Sequence, residues 1–327
     1  FDLEKISNIS QKESLERKKN LKSFLDTGFP NKKDENWKFS DLNAIISKNF
    51  KKITNNIDLS LNKNIDDIKD FEHNKIILVN GFLRSSDIKY ENKEKVKIES
   101  LKEFSYHSKD NLSFLNKALS SGGFNLEILK NYKCKRPIVI YNYFNSNLEN
   151  KIINNSNKIK LNQNSELILI EYNICENSKF LKNTFEKVDL DKDSTFKNIM
   201  IQKTKSDGYF YKHLYGTQEL NSNFQNFILT SGLRFNKVEI DMNLKKENSS
   251  CFILSGLCLG NGEHQEIKTK INHLAPNCKS YQKIKNVLEK DSNGVYQGKI
   301  YVKDIAQKTN AYQLSKALIL DDESEFN

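Results

Sequence analysis

The sequence predicts a mainly β protein preceded by a helix-containing N-terminal part. Three observations lead there. From about residue 124 onward, short apolar runs recur, each bounded by Asn, Ser, Asp, Lys or Gly. The helical signals cluster before that point. No strand followed by a long helix repeats along the chain, which argues against a doubly wound α/β sheet. A chain of 327 residues has room for about two domains, and the change of character places them at 1–120 and 121–327.

The N-terminal part opens on Ser10-Gln11-Lys12-Glu13, a capping-box pattern. Leu15, Leu21, Phe24 and Leu25 follow at near-helical spacing, and Gly28 with Pro30 supplies the stop. Trp37, the one Trp of the chain, lies in Asp34-Glu35-Asn36-Trp37-Lys38-Phe39-Ser40-Asp41-Leu42. Residues 43–70 are polar and carry no clear pattern. Lys75 to Val79 reads as a short strand turning at Gly81, and 110–119 as a further helix closed by Gly122-Gly123.

In the C-terminal part, strands are expected at Pro137–Tyr143, Glu166–Tyr172, Phe196–Gln202, Phe224–Thr230, Val238–Leu244, Cys251–Leu257 and Lys299–Val302. Val238 to Leu244 alternates strictly and puts four apolar side chains on one face. Spacing of roughly 8–14 residues between runs suits a sandwich, a barrel or a β-solenoid. A solenoid rung needs only a thin apolar stripe, which agrees with a hydrophobic fraction of 37%.

A net charge of +10 raises the question of nucleic acid. The basic residues are nearly all dispersed lysines, with Arg17, Arg84, Arg136 and Arg234 the only arginines. Bidentate phosphate grip and base readout favour Arg, so a solvated lysine-rich face is expected instead. Five widely spaced cysteines without a C-x-x-C pair fit reduced thiols in a cytoplasmic protein. The first residues show no signal-peptide pattern, and no apolar run approaches the ~18 residues of a membrane span. The missing initiator Met suggests a trimmed N-terminus.

Candidate chemistry is sparse. No Gly-x-x-x-x-Gly-Lys-Ser/Thr loop exists, and Gly256 to Gly262 reads as a turn after a strand. Cys251, Cys258, His264, His273 and Cys278 fall close together, but their spacing matches no zinc or iron–sulfur pattern. Cys258, His264 and His273 remain weak metal candidates, the first in an apolar strand, the second read as an exposed turn residue. Asp207-Gly208-Tyr209 with His213 reads as a turn opening a strand, and Glu263 and Glu266 as surface neighbours. Tyr209, Phe210, Tyr211 and Tyr215 are read as packing residues. No catalytic constellation emerges, and no enzymatic activity is expected.

Gly28-Phe29-Pro30 with Lys33 to Leu42 resembles the opening "G-x-P-x-x-K-D-E-x-W-K-[YF]-[ST]-x-L" of SufD proteins. Leu115 to Leu119, Gly123 and Arg136-Pro137-Ile138 resemble their entry into the central domain. The run from Gly232 to Leu320 is similar to the SufB/SufD core, above all Gly294-Val295-Tyr296-Gln297-Gly298-Lys299-Ile300 and Ala306 to Gln313. The Trp37 motif favours SufD over SufB. The resemblance implies a helical N-terminal domain, a right-handed parallel β-helix core and a C-terminal helical domain.

It further implies a non-catalytic scaffold subunit of an iron–sulfur cluster assembly complex, paired with a SufB-like subunit and a SufC-like ATPase. Sulfur from a cysteine desulfurase would reach it indirectly, and the complex would handle the cluster transiently, with none held firmly by this chain. The family continues past Leu320 with a Cys- and His-bearing segment and the helices that grip SufC. Asn327 precedes both, so truncation is expected and no role from that segment is transferred. Ala317 and Lys245-Lys246-Glu247 depart from the family pattern. The alternatives are a SufB-like paralogue and a cytosolic β-helix carbohydrate-active enzyme; neither a nucleic-acid nor a membrane partner is expected.

Overall fold

The computed structural model describes residues 1–327 except 2, 4–9, 56, 61–64, 66, 102–109 and 204. Two nine-stranded sheets face each other. The first runs, from one end to the other, through β2 (Phe82–Asp87), β1 (Asn74–Val79), β5 (Ile138–Phe144), β7 (Glu166–Cys175), β9 (Thr195–Gln202), β11 (Asn223–Thr230), β13 (Ser250–Leu259), β15 (Lys279–Leu288) and β17 (Asn310–Ile319). The second runs through β3 (Val96–Ser100), β4 (Phe124–Ile128), β6 (Ile152–Leu161), β8 (Leu181–Leu190), β10 (Ser206–Gln218), β12 (Leu233–Leu244), β14 (His264–His273), β16 (Asn293–Val302) and β18 (Glu325–Phe326). From β5 onward the chain alternates between sheets, and neighbours within a sheet are parallel. This is a parallel β-solenoid. Among the described residues, antiparallel pairs form only at its N-terminal end, β1 with β2 and β3 with β4. β1–β3 precede residue 121 and belong to the same two sheets.

A repeated corner makes the rungs possible. Asn131, Asn164, Asp193, Asn221, Asn248, Asn277 and Lys308 all take positive φ, between 55° and 60°. From Asn164 on, each stands two residues before a strand of the first sheet. Asn and Asp tolerate this left-handed conformation better than other L-residues. Successive corners also bond to one another: Asn221 Nδ2 donates to Asp193 Oδ1 at 2.8 Å, and Asn248 Nδ2 to Asn221 Oδ1 at 3.2 Å. The next residue closes the turn, as Ser165, Ser194, Ser222 and Ser249 each donate to the carbonyl three residues back. Asn or Asp followed by Ser therefore marks four successive corners, from Asn164 to Asn248.

Between the sheets lies an apolar lumen, with Leu167, Val188, Phe196, Phe224, Ile240 and Ile253 in one continuous core. The strands expected at Glu166, Phe196, Phe224, Val238 and Cys251 are present, most of them longer than expected. Four expectations are corrected. Gly256 to Leu259 continue β13, and the turn is confined to Gly260–Gly262, with Asn261 and Gly262 at positive φ. Asp207–Tyr209 lie inside β10, at a register shift rather than in a turn. Leu15 and Leu25 are exposed apolar residues of the first helix, 69% and 65% accessible, and Phe24 is its buried anchor. The lysines are not all solvated: Lys182, Lys212 and Lys237 are buried.

The N-terminal segment supplies α1 (Gln11–Thr27), a 3-10 turn at Glu35–Trp37, α2 (Leu42–Asn49) and α3 (Asn111–Leu119). Ser10 caps α1 as its sequence suggests, accepting from Glu13 N, and Gly28 ends it at φ 70°. These elements cover the outward face of the second sheet at the starts of its strands. Leu112, Leu115, Leu42, Ile46 and Phe50 pack there against Leu181, Phe185, Tyr209 and Phe235. Asn116 Nδ2 donates to the carbonyls of Asn155 and Asn183, both at 3.0 Å, pinning α3 across two rungs. Among the described residues, no helix is long and apolar enough to cross a membrane.

Candidate functional site

Two clusters of buried polar side chains stand out, one on the outside of the second sheet and one in the lumen. The outer cluster is built around Trp37, which the 3-10 turn presses onto β10 and β12. Its ring lies 5.4 Å from that of Tyr211 and 6.5 Å from that of Phe235, the latter nearly parallel. Lys237 lies fully buried beneath it, with Nζ 4.1 Å from the ring centroid. An ammonium against an indole face is worth roughly 2 kcal/mol when desolvated. Its charge is matched by Glu266 Oε1 at 2.9 Å, with Glu239 Oε1 at 3.5 Å, and it donates to the carbonyl of Asn36.

Ser40 completes the cluster. Its hydroxyl donates to Glu266 Oε2 and lies 2.9 Å from His264 Nε2. That arrangement puts the proton of the neutral imidazole on Nε2. The ring stacks on Phe235 at 5.3 Å, and burial pushes the His264 pKa down to about 4, the Glu266 carboxylate opposing. Gln297 Nε2 donates to Glu266 Oε1 at 2.8 Å, so the last rungs join the same network. Ser, His and Glu together suggest a hydrolytic triad, but the geometry is wrong for one. Glu266 bonds the serine rather than orienting His264 Nδ1, and Ser40 is 2% exposed. The cluster is a latch between the N-terminal segment and the solenoid.

In the lumen, Lys212 of β10 bridges the two sheets. Its Nζ is 2.7 Å and 2.8 Å from the Glu171 carboxylate of β7 and 3.0 Å from Glu186 of β8. Burial disfavours every charge here, yet the Lys212 ammonium holds Glu171 below the ordinary carboxylate range, and the two carboxylates raise Lys212. Glu186 moves upward, through burial and then the neighbouring Glu171 charge. Lys182 sits above Phe144 and Phe210, 5.0 Å and 5.1 Å from their centroids. Burial and the Lys212 charge lower its pKa to about 8. Asn198 and Asn157 complete the network by donating to Glu171 and Glu186.

The three weak metal candidates are separated. Cys258 is exposed on the outward face of β13. His264 opens β14 under the N-terminal segment, bonded to Ser40 and not in an exposed turn. His273 points into the lumen and pairs through Nε2 with Ser280 Oγ at 2.9 Å. Glu266 is fully buried and Glu263 7% exposed, so they are not surface neighbours. Tyr209, Phe210 and Tyr211 are buried packing residues. Among the described residues, no three His, Cys, Asp or Glu side chains are grouped to hold a metal ion.

Sequence reasoning found Trp37 but missed its partners. Lys237 and Glu266 lie some two hundred residues downstream in alternating strands, where charged residues read as solvent-facing. The one available signal was Glu266 and Lys237 sharing the outward parity of neighbouring strands with Phe235 and His264.

The comparisons with known proteins agree with this architecture. A family model described as "SufBD protein N-terminal region" matches residues 6–140. A second, described as "SUF system FeS cluster assembly, SufBD core domain", matches residues 143–327, more than half of the chain. No curated protein matches the sequence. With the solenoid as its core and the Trp37 segment latched across it, the chain belongs to the SufB/SufD family of the SUF iron–sulfur cluster assembly system.

Proposed function

We propose that this chain is a SufD-like scaffold subunit, one that pairs with a SufB-like subunit and works with a SufC-like ATPase without catalysing a reaction itself. The observation that carries the reading is the latch at Trp37. It makes the N-terminal segment and the solenoid a single stiff body, which suits a part that holds other subunits in place. The Trp37 motif, in its Lys-Asp-Glu-Asn-Trp-Lys-Phe-Ser setting, is the feature that favours SufD over SufB. The buried polar clusters support the same conclusion, because their carboxylates and lysines are committed to one another. Iron and sulfur are the cargo of the complex in this reading. A cytoplasmic location accompanies it.

Reconstitution tests it. Cluster formation by the SufB-like and SufC-like subunits with a cysteine desulfurase is expected to rise when this chain is added. Alone, the chain is expected to show neither ATP hydrolysis nor cluster formation. Assembly at the same rate without it would refute the scaffold role, and a cluster built on the chain by itself would favour a SufB-like one.

A further inference from the structure

The outward face of the first sheet carries a pattern that the latch and the lumen do not explain. β9, β11, β13, β15 and β17 contain no Asp or Glu. Their five lysines, Lys197, Lys279, Lys283, Lys285 and Lys316, alternate with lumen-facing residues and therefore point outward. The second sheet, by contrast, mixes signs outside, as in Lys270 with Asp241 and Lys187 with Asp189.

Strand register sets two apolar rows side by side on this face. One runs Ile170, Ile199, Phe227, Leu254, is interrupted by Lys283 and resumes at Leu314. The other runs Tyr172, Ile201, Leu229, Gly256 and ends at Lys285. A Cβ at Gly256 would meet only Leu229 Cδ1, at 3.7 Å, so the second row has a dent at that rung.

The first rungs of both rows are already covered by the chain itself. Ile65 and Ile68 pack on Val139, Tyr141 and Ile170. The Ile68 N–H donates to the Tyr141 hydroxyl at 3.0 Å, and Asp67 pairs with Lys75. Aliphatic side chains with a carboxylate between them thus satisfy this face where it is covered. Farther along, Phe227, Leu229 and Leu254 stand 37–38% exposed, beside Lys283 and Lys285 on strands without Asp or Glu.

We propose that the uncovered part of these rows docks an extended segment of a partner protein that carries branched aliphatic residues flanked by carboxylates. The aliphatic side chains would continue the rows begun by Ile65 and Ile68, and the carboxylates would meet Lys283 and Lys285. A second copy of the chain is disfavoured, because a self-complementary contact through this face sets lysine against lysine. Nucleic acid is disfavoured because aliphatic rows occupy the centre of the patch and no arginine borders it. The inference holds whether the chain is SufD-like or SufB-like.

The test uses a fluorescein-labelled synthetic peptide alternating Ile with Asp and Glu, titrated against the full chain by anisotropy. A control peptide has each Ile replaced by Ser. Saturable binding of the first peptide alone is expected, weakened about tenfold by Leu254→Lys and again by Lys283→Glu. Both positions are solvent-accessible, and unchanged circular dichroism and melting verify each fold. Equal binding of the two peptides, or none, would overturn the proposal. So would preferential binding of single-stranded DNA or of phosphatidylserine vesicles, or a dimer in light scattering that Leu254→Lys dissociates.

Discussion

At the scale of single residues, the buried charges carry the most exacting demands. Lys237 is covered by the Trp37 ring, so Trp37→Ala removes both a large packed side chain and the lid on an ammonium. A loss of about 3–5 kcal/mol is expected, with trypsin cutting the N-terminal segment well before the solenoid; equal resistance of both parts would disprove the latch. His264 adds a pH dependence. Its folded pKa of about 4 lies below the ordinary 6.5, so between those values the unfolded chain binds a proton that the folded chain refuses. Stability therefore falls as pH drops from 6.5 toward 4, by on the order of 3 kcal/mol for this group, and levels off below. Urea midpoints for the wild type and His264→Gln at pH 7 and 4.5 check it: the variant is expected to lose less on acidification.

Lys212 behaves similarly in the lumen. Lys212→Met strands Glu171 and Glu186 between the sheets and is expected to cost about 3–5 kcal/mol. Combining it with Glu171→Gln and Glu186→Gln should recover part of that loss in a thermal melt. No recovery would show that packing rather than charge sets the cost. None of these charges was legible from the sequence. Lys212 and Lys237 sit in alternating strands, where a lysine ordinarily marks the solvent side; Lys237 is buried because the N-terminal segment covers the outer face, and Lys212 because it points into the lumen.

At the scale of elements, legibility followed burial. β12 shows clean alternation over Val238–Leu244 because its outward residues there are polar, and it was found directly. β6, with the sequence Ile-Ile-Asn-Asn-Ser-Asn-Lys-Ile-Lys-Leu, was not. Its first six residues are buried on both faces, under α3 and in the lumen, and asparagines serve both sides. Polar side chains that bond one another across rungs look like a loop in a linear reading. The corner signature was visible in principle, since an Asn or Asp followed by Ser or Cys recurs every 27–29 residues from Asn164 to Asn277. It tests simply. Asn221→Val forces a β-branched residue into φ 55° and breaks the corner ladder, at about 1–2 kcal/mol, whereas Asn221→Gly costs less. If the two variants show the same urea midpoint, corner conformation is not what holds the rung.

At the scale of the whole molecule, the solenoid acts as a spine. Each rung adds one strand to each sheet, the lumen is filled along its length, and the N-terminal segment braces the outer face of the second sheet. The resemblance to SufB/SufD proteins foresaw this architecture; periodicity alone left a sandwich and a barrel open. Stiffness of this kind transmits force between attached subunits and needs no moving site of its own. The chain is thereby suited to holding partners, and the charged groups of its latch and lumen are spent on internal support.

The most direct measurement of that role is the mass, by light scattering after gel filtration, of an equimolar mixture of this chain with a SufB-like subunit. A single species with the summed mass of one copy of each is expected, and Trp37→Ala should reduce its yield. Two separate peaks at the masses of the free chains would contradict the account.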